Sequence, residues 1–235
     1  MPDYPQKDYI CRQYTQLTNI NNIMQKTILP ALILSMLFTL GCKKQQVEIF
    51  NGNDLSNWHF VLDNDTVPAE QVFAVQEGII TIKGEPLGYM YTTEKYSDFV
   101  LELEYRWGGE ASNSGVFFLI EEASKPFPRG VECQLKADKA GDLVLLSGAE
   151  LKEYQLPEGA TERPKFPVIE KKESSSEKAV GEWNKVKIKV KEGKAEIFIN
   201  GVLQNSATSE VKEGHIGLQS EGKEIHFRNL VLEKL

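Results

Sequence analysis

The feature that most constrains the fold is a strict alternation of apolar and charged residues in the last third of the chain. Val186, Ile188 and Val190 alternate with lysines, and Ala195–Ile199 then leads into the pair Asn200-Gly201. A period of two places successive side chains on opposite faces of a strand, so one face is buried and the other carries lysines in water. Asn-Gly is the strongest short signal for a hairpin. This region therefore predicts two antiparallel strands joined by a tight turn.

Similar short runs recur along the chain, separated by Gly, Asn, Asp and Pro. They are Val47–Phe50, Val72–Val75, Ile79–Ile82, Phe99–Trp107, Val116–Ile120, Val131–Leu135, His215–Leu218 and Ile225–Leu232. No window after Cys42 has a long helical period. Many short strands separated by turns predict an all-β sandwich or jelly roll built from antiparallel sheets.

The stretch Leu151–Val180 departs from this pattern. It contains Pro157, Pro164 and Pro167 and a polar run over Glu170–Lys178, with little apolar periodicity. A long excursion inside a compact domain is usually either a functional loop or a disordered insert. We expect this stretch to be mobile and to lie beside the binding face, and the sequence leaves open whether it is a lid or a solvated insert.

An apolar run near the N-terminus predicts the location of the protein. Thr27–Gly41 carries no charge, follows Met24 and Lys26, and ends at Cys42. The run is short for a membrane span but has the form of an export signal. Gly41-Cys42 resembles a bacterial lipobox, in which the cysteine is acylated and becomes the mature N-terminus. An ordinary signal peptide and a buried apolar segment are the alternatives.

The predicted organisation follows from that cleavage. Residues 1–41 are an upstream extension and lipoprotein signal peptide, residues 42–46 are the lipidated N-terminus with a short linker, and residues 47–235 are one jelly-roll domain. We therefore expect an exported bacterial lipoprotein of the cell envelope, facing the periplasm or exposed at the surface. Its contact with a membrane would be through the lipid anchor on Cys42 alone.

Charge and cysteine usage exclude several classes of function. The formal net charge is −7, without a basic cluster interleaved with aromatic residues, so nucleic acid is not an expected partner. Cys11 lies in the removed segment and Cys42 is acylated, which leaves Cys133 without a disulfide partner. Cysteine and histidine residues at zinc-finger spacing are absent.

Two predicted strands supply the first candidate site residues. On Phe99–Trp107 one face is polar and carries Glu102, Glu104 and Arg106. On Val131–Leu135 the polar face carries Glu132 and Gln134. If both strands belong to one sheet, these residues form a single patch that suits a sugar, whose hydroxyls need donors and acceptors at fixed angles. The alternative is an ordinary solvent-facing surface, which we prefer for Glu102.

Further candidates lie at the edges of other strands. Asn113 precedes a Ser-Gly pair at the start of a strand, where it also fits simple turn chemistry. His215 and Gln219 share the face opposite the apolar Ile216 and Leu218. A lone histidine on a strand is more often structural than catalytic, so His215 is the weaker candidate for a base.

Eight short motifs occur in one order along the chain. They are IFNGNDLSNW (Ile49–Trp58), DFVLELEYRW (Asp98–Trp107), NSGVF (Asn113–Phe117), GVECQL (Gly130–Leu135), GEWN (Gly181–Asn184), ING (Ile199–Gly201), GHIGLQ (Gly214–Gln219) and FRNL (Phe227–Leu230). Together they resemble the 3-keto-disaccharide hydrolase domain family over nearly all of Val47–Leu235. The resemblance implies a concanavalin A-like jelly roll with a concave sugar-binding face. It also implies hydrolase or lyase activity on glycosides whose C3 hydroxyl has been oxidised to a ketone.

The resemblance also implies roles for individual residues. The family's recurrent polar positions are here Glu104, Asn113, Glu132, Gln134, Gln219 and Arg228. In an enzyme, Glu104 and Glu132 would be the acid and base, with His215 as a further candidate. The residues that would bind the glycoside substrate or stabilise an enolate oxygen are Arg106, Asn113, Gln134, Gln219 and Arg228. The sequence requires no cofactor, and a divalent metal is an alternative to those donors.

Two other functions are compatible with the sequence. One is a lectin-like lipoprotein that binds carbohydrate without catalysis, because a jelly roll supports lectins as readily as enzymes. The other is an ordinary retaining glycosidase, which needs two carboxylates about 5 Å apart. Glu104 and Glu132 meet that requirement only if their strands are neighbours.

Overall fold

The computed structural model describes residues 45–235, so the predicted signal segment and the lipidation site Cys42 lie outside the described residues. The described part contains one short helix, α1 (Ala69–Val72), and otherwise strands. The strands are β1 (Gln45–Val47), β2 (Trp58–Leu62), β3 (Phe73–Gln76), β4 (Ile79–Ile82), β5 (Gly88–Thr92), β6 (Phe99–Trp107), β7 (Gly115–Glu122), β8 (Arg129–Gln134), β9 (Leu143–Leu146), β10 (Val168–Ile169), β11 (Asn184–Lys191), β12 (Lys194–Ile199), β13 (Val202–Thr208), β14 (His215–Ser220) and β15 (Ile225–Lys234). Between residues 45 and 235 no helix has the length and apolar character needed to cross a membrane.

The strands pair into two antiparallel sheets. The eight-stranded sheet has the order β13-β12-β11-β6-β15-β4-β3, with β1 paired to the end of β15. The seven-stranded sheet has the order β10-β9-β8-β7-β14-β5-β2. This arrangement confirms the predicted all-β jelly-roll sandwich.

The alternation of the sequence decides which side chains enter the core. On β6 every second residue, from Phe99 to Trp107, is buried, and the residues between them, Val100 and three charged ones, are half-exposed. Val186, Ile188 and Val190 of β11 are fully buried, as the alternation with lysine predicts. The predicted hairpin joins β12 to β13, and both Asn200 (φ 50°) and Gly201 (φ 84°) adopt the left-handed conformation that this turn requires.

The seven-stranded sheet is covered on both sides. Its inward side chains, such as Val116 and Cys133, belong to the main core between the sheets. Its outer face carries a second, smaller apolar cluster made of Tyr89, Phe117, Ile120, Val144 and Leu146. Apolar burial on an outer face means that loops fold over this sheet, and these loops shape the site described below.

The Leu151–Val180 stretch is irregular apart from the edge strand β10, and its second half is tied to the sandwich. Tyr105 Oη donates a hydrogen bond to Glu177 Oε1 at 3.1 Å. Ser176 Oγ donates to the carbonyl of Ile199 at 2.8 Å, and Asn205 Nδ2 donates to that of Ile169 at 2.9 Å. Because of these contacts, the second half of the stretch packs on the sandwich and is not a solvated insert.

Candidate active site

The patch predicted from Glu104 and Glu132 does not form. Glu104 lies on β6 in the eight-stranded sheet, and Glu132 lies on β8 in the seven-stranded sheet. Their apolar neighbours Leu103 and Cys133 both enter the core between the sheets, so the two carboxylates point to opposite outer faces. The expectation of one shared patch is therefore wrong. Alternation determines the face of a residue within its strand, but it does not determine the sheet to which that strand belongs.

Glu104 lies in a paired polar cluster on the eight-stranded sheet. Arg228 Nε and Asn229 Nδ2 donate to Glu104 Oε2 at 2.7 and 2.9 Å. The guanidinium groups of Arg228 and Arg106 lie 3.9 and 4.6 Å from the ring centroid of Trp183. Burial acts to raise the pKa of Glu104, but these donors and positive charges lower it overall. The cluster links neighbouring strands, and the predicted substrate-binding residues Arg106 and Arg228 are part of it.

The remaining predicted residues lie on or beside the outer face of the seven-stranded sheet. Glu132 is paired in register with Phe117 on one side and with Val144 on the other. Two residues further along β8, Gln134 is paired with Gly115. On β14, Gln219 is paired with Tyr89 of β5. The structure thus brings Glu132, Gln134 and Gln219 onto one surface, with Asn113 at its edge.

Glu132 is a buried carboxylic acid in an apolar setting. Only 3% of the residue is exposed, and its Oε1 has no hydrogen-bond partner. Its side chain occupies the space above Gly115, where a Cβ atom would lie 2.7 Å from both Cγ and Cδ of Glu132. Burial, followed by the charge of Glu221, raises the pKa of Glu132 well above its usual range. This site stabilises the protonated form of Glu132.

Glu221 is a second carboxylate that the sequence analysis missed. It directly follows β14, and its charge helps to raise the pKa of Glu132. Gln219 Nε2 donates to Glu221 Oε2 at 2.7 Å, and the side chain of Asn113 is also hydrogen-bonded to it. Burial raises the pKa of Glu221, whereas these two donors and Lys136 oppose that rise. Its position just past the end of β14 gives no clear signal in the sequence, because alternation no longer fixes the direction of a side chain there.

Several polar atoms around the two carboxylates are buried without a partner. Besides Glu132 Oε1 they are Asn113 Oδ1, Gln219 Oε1 and Tyr89 Oη. An unpaired buried polar atom is costly, and such atoms are few in folded proteins. Gln134 is held differently, since its Oε1 accepts from the backbone N–H groups of Leu135 and Lys136 at 3.0 and 2.9 Å. This side of the sheet therefore holds fixed donors and acceptors of the kind that sugar hydroxyls need, and those without partners are buried.

His215 lies on the side of Glu132 away from Glu221. Its Nδ1 donates to the carbonyl of Thr92 at 2.8 Å, so Nε2 is the acceptor of the neutral ring. The ring packs edge-on against Tyr91 at a centroid distance of 5.3 Å, and His59 packs against Tyr91 at the same distance. His215 thus extends an aromatic strip on this face rather than joining the carboxylate pair.

Two clefts open on this face. The first has a volume of about 400 Å³ and is lined by Leu87, Lys125, Pro126, Phe127, Ser147, Lys165 and Phe166. The second has a volume of about 270 Å³ and is lined by Gln134, Lys136, Lys139, Asp142, Val144, Val168 and Glu170. Within residues 45–235 no group of three or more His, Cys, Asp or Glu side chains is arranged to hold a metal ion.

Solved structures with the same fold include carbohydrate-active proteins. A glycosyl hydrolase candidate from Parabacteroides distasonis is 21% identical with a TM-score of 0.55, and the match covers 81% of this chain and 94% of that one. The carbohydrate-binding module CBM66 from Bacillus subtilis is 15% identical with a TM-score of 0.52, covering 77% and 98%. The β-glucanase from Bacillus licheniformis is 9% identical with a TM-score of 0.52, covering 82% and 98%. These similarities establish the concanavalin A-like fold.

The family itself is identified by sequence. No curated protein matches the chain. The profile of the 3-keto-alpha-glucoside-1,2-lyase-like domain, however, matches residues 45–233, which include both sheets and every residue of the site described above. This match confirms the resemblance seen in the eight sequence motifs. The chain belongs to the 3-keto-alpha-glucoside-1,2-lyase-like domain family.

Proposed function

We propose that this protein cleaves the glycosidic bond of 3-keto-glycosides, with Glu132 as the general acid and Glu221 as the general base. The observation that carries the proposal is the pair of carboxylates on the seven-stranded sheet. Glu132 is buried and unpartnered, whereas two amide donors hold Glu221. Titratable pairs in such different environments are typical of acid–base catalysis, because one group keeps its proton while the other releases it. Family membership supports the choice of a keto-sugar as substrate.

The reaction follows from the acidity that a C3 ketone confers on the C2 proton. Ionised Glu221 removes this proton, and the electron pair is delocalised onto the ketone oxygen as an enolate. The enolate then forms the C1–C2 double bond while the bond from C1 to the glycosidic oxygen breaks, and Glu132 gives its proton to the departing oxygen. Water then adds its hydroxyl to C1 and gives its other proton to Glu132. Glu221 returns a proton to C2 after exchange with solvent, so both carboxylates regain their starting states. The net reaction consumes one water and yields a 3-keto sugar and a free alcohol.

The other polar groups of the face would orient the sugar. Asn113 Oδ1 and Gln219 Oε1 are acceptors for sugar hydroxyls, and Tyr89 Oη is a donor for the enolate oxygen. Gln134 has its Oε1 fixed by the backbone, which leaves its Nε2 as a second donor. Each positioned acid or base typically contributes about 10²- to 10⁴-fold to the rate.

The test compares a methyl 3-keto-glucoside with its unoxidised parent. We expect cleavage of the keto compound alone, and deuterium at C2 of the product when the reaction is run in D₂O. Exchange of the free ketone without protein must be subtracted. Glu132→Gln and Glu221→Gln should each slow cleavage by about 10²-fold or more. Glu104→Gln, which changes the same chemical group on the opposite face, is the matched control and should leave the rate unchanged.

Two outcomes would replace this proposal. Cleavage of the unoxidised parent without deuterium at C2 would indicate an ordinary glycosidase. Saturable binding of both sugars with cleavage of neither would indicate a carbohydrate-binding module.

A further inference from the structure

The larger cleft on the outer face is assembled from separate parts of the chain. Lys125, Pro126 and Phe127 come from the β7–β8 loop, whereas Lys165 and Phe166 come from the Leu151–Val180 stretch. Leu87, just before β5, and Ser147, just after β9, complete the lining. A volume of about 400 Å³ lies within the range of small-molecule sites. This cleft is therefore large enough for a compact organic group.

Two aromatic rings form its apolar wall. The rings of Phe127 and Phe166 lie 4.8 Å apart between centroids at an angle of 54°. Both pack on the small apolar cluster of the outer face. Ser147 Oγ donates to the carbonyl of Phe127 at 2.6 Å, which fixes the loop in this position. Aromatic pairs prefer tilted or offset contacts in this distance range, so this wall is a surface on which a further ring can pack.

Two lysines give the same cleft a positive charge. Lys125 and Lys165 are exposed, and neither forms an ion pair with a carboxylate among residues 45–235, whereas Lys83 and Lys152 each pair with a glutamate at 2.6 and 2.7 Å. Lys165 Nζ instead lies 5.0 Å from the ring centroid of Phe166. In a chain of net charge −7, two such lysines beside one aromatic wall are complementary to an anionic ligand.

The second cleft, which Gln134 lines, has mainly polar residues in its lining and is called the polar cleft below. On β8, Glu132 lies between Gln134 and Gly130, and Gly130 is paired with Leu146, the residue before Ser147 of the larger, aromatic cleft. Phe117 and Val144, the register partners of Glu132, belong to the cluster on which Phe127 and Phe166 pack. Val144 also lines the polar cleft, together with Gln134, Asp142 and the other polar residues named above. A group that protonates a glycosidic oxygen must lie where the sugar meets its leaving group. The polar cleft has hydrogen-bonding groups for the sugar. The aromatic cleft has an apolar wall for the leaving group.

We infer that the cleft of Phe127, Phe166, Lys125 and Lys165 is the leaving-group subsite, and that it selects an aromatic leaving group carrying a carboxylate. The role of this cleft in turnover rests on the proposed function, whereas its binding of a free aromatic carboxylate does not. The two phenylalanines contact the aromatic ring, and the two lysines attract its carboxylate. The protein would then prefer 3-keto-glycosides of phenolic acids to those of neutral phenols or simple alcohols.

The first experiment measures binding without turnover. Free 4-hydroxybenzoate and phenol are titrated into the full chain and followed by NMR or calorimetry. We expect 4-hydroxybenzoate to bind more tightly than phenol. The double variant Lys125→Gln/Lys165→Gln should lower the affinity for 4-hydroxybenzoate by about tenfold, with little effect on the affinity for phenol. The control Lys187→Gln/Lys191→Gln removes the same charge from the eight-stranded sheet and should change neither. Phe166→Leu should weaken both ligands.

The second experiment measures the preference during turnover. The ratio of kcat/KM for the 4-carboxyphenyl and phenyl 3-keto-glucosides should exceed one, and should fall about tenfold in Lys125→Gln/Lys165→Gln. Equal binding of 4-hydroxybenzoate by both double-lysine variants would overturn the inference, even if keto-glycosides are cleaved. Binding that is lost only in Lys125→Gln/Lys165→Gln, with no cleavage of any keto-glycoside, would support the subsite and reject the proposed reaction instead.

Discussion

The side chain of Glu132 on β8 fills the space that a side chain at Gly115 on β7 would need. A Cβ atom at Gly115 would lie 2.7 Å from both Cγ and Cδ of Glu132, closer than non-bonded carbon atoms approach. Gly115 is the third residue of the motif NSGVF, which begins at Asn113. The glycine therefore makes room for a buried acid rather than serving only the turn that precedes the strand.

This relationship predicts the effect of Gly115→Ala. The added methyl group must displace the whole Glu132 side chain, since both Cγ and Cδ are in its way. We expect cleavage of a 3-keto-glucoside to fall by about 10²-fold, as for loss of a positioned acid. Steady-state kinetics would measure this fall, with circular dichroism to show that the fold is retained.

Gly109→Ala is the matched control for that prediction. It adds the same methyl group in the loop between β6 and β7, where no atom lies within 4 Å of the new Cβ. Its activity should equal that of the wild type. Equal activity of Gly115→Ala and Gly109→Ala would show that the position of Glu132 above Gly115 does not matter for the reaction.

The faces of the strands were predictable from sequence, but the site was predictable only in part. A period of two places Glu104 and Glu132 on the side of their strands opposite the core residues Leu103 and Cys133, and the structure agrees, although Glu132 is buried there. Which strands become neighbours depends on pairings over long sequence separations, such as that of β6 with β11 and β15. Local alternation carries no information about those pairings, so the two carboxylates could not be assigned to opposite faces in advance.

Glu221 illustrates a second limit of the sequence. It lies one residue beyond β14, in a loop where alternation no longer determines the direction of a side chain. Its place in the site depends on the approach of Gly222 to Asn113, whose backbone N lies 3.2 Å from where a Cβ of Gly222 would be. A contact between two loops so far apart in the sequence cannot be predicted from local alternation.

The Glu104 cluster should contribute to stability and not to catalysis. Glu104→Ala removes the acceptor of Arg228 and Asn229, whose hydrogen bonds join β6 to β15. Because this pair is partly exposed, we expect the free energy of unfolding to fall by about 1 kcal/mol or less, with kcat/KM unchanged. Urea unfolding and keto-glucoside kinetics on one preparation would measure both quantities. A large loss of activity without a loss of stability would return Glu104 to the candidate catalytic residues.

The predicted lipid anchor can be tested independently of the fold. The apolar run Thr27–Gly41 followed by Cys42 predicts acylation at that cysteine. Cells grown with an alkyne fatty acid should label the wild type and leave Cys42→Ala unlabelled. Equal labelling of the two would reject the lipoprotein assignment, whereas export without label would indicate an ordinary signal peptide.

Burial of Glu132 makes stability depend on pH in a defined direction. Its pKa is raised in the folded chain above the value of about 4.3 expected when unfolded. Between the two pKa values the folded protein keeps the proton that the unfolded chain releases. The contribution of Glu132 to stability is therefore complete below about pH 4.3 and is lost as the pH rises through the folded-state pKa. Glu132→Gln lacks this proton and should gain stability over the wild type by up to about 1.4 kcal/mol per pH unit in that window. Urea unfolding at several pH values would measure the gain, and a constant difference would contradict it.

The separate roles of the two carboxylates predict a bell-shaped pH profile. Glu221 must be ionised to take the C2 proton, so kcat/KM should rise as pH increases through its pKa. Glu132 must be protonated, so kcat/KM should fall as pH increases through its own pKa. Burial raises both values, and the bell should therefore lie above the range of ordinary carboxylates. Profiles of Glu132→Gln and Glu221→Gln should lose the alkaline and the acidic limb respectively.

A leaving group that needs no proton distinguishes the acid from the base. 4-Nitrophenolate departs without protonation, so a 4-nitrophenyl 3-keto-glucoside should restore most of the activity of Glu132→Gln. It should not restore that of Glu221→Gln, because removal of the C2 proton is still required. Measuring kcat/KM for the methyl and 4-nitrophenyl compounds with wild type and both variants tests this. If the activity of Glu221→Gln were restored instead, the two roles would be exchanged. If the activity of neither variant were restored, Glu132 would not act on the leaving oxygen, because loss of proton donation is the one defect that this leaving group corrects.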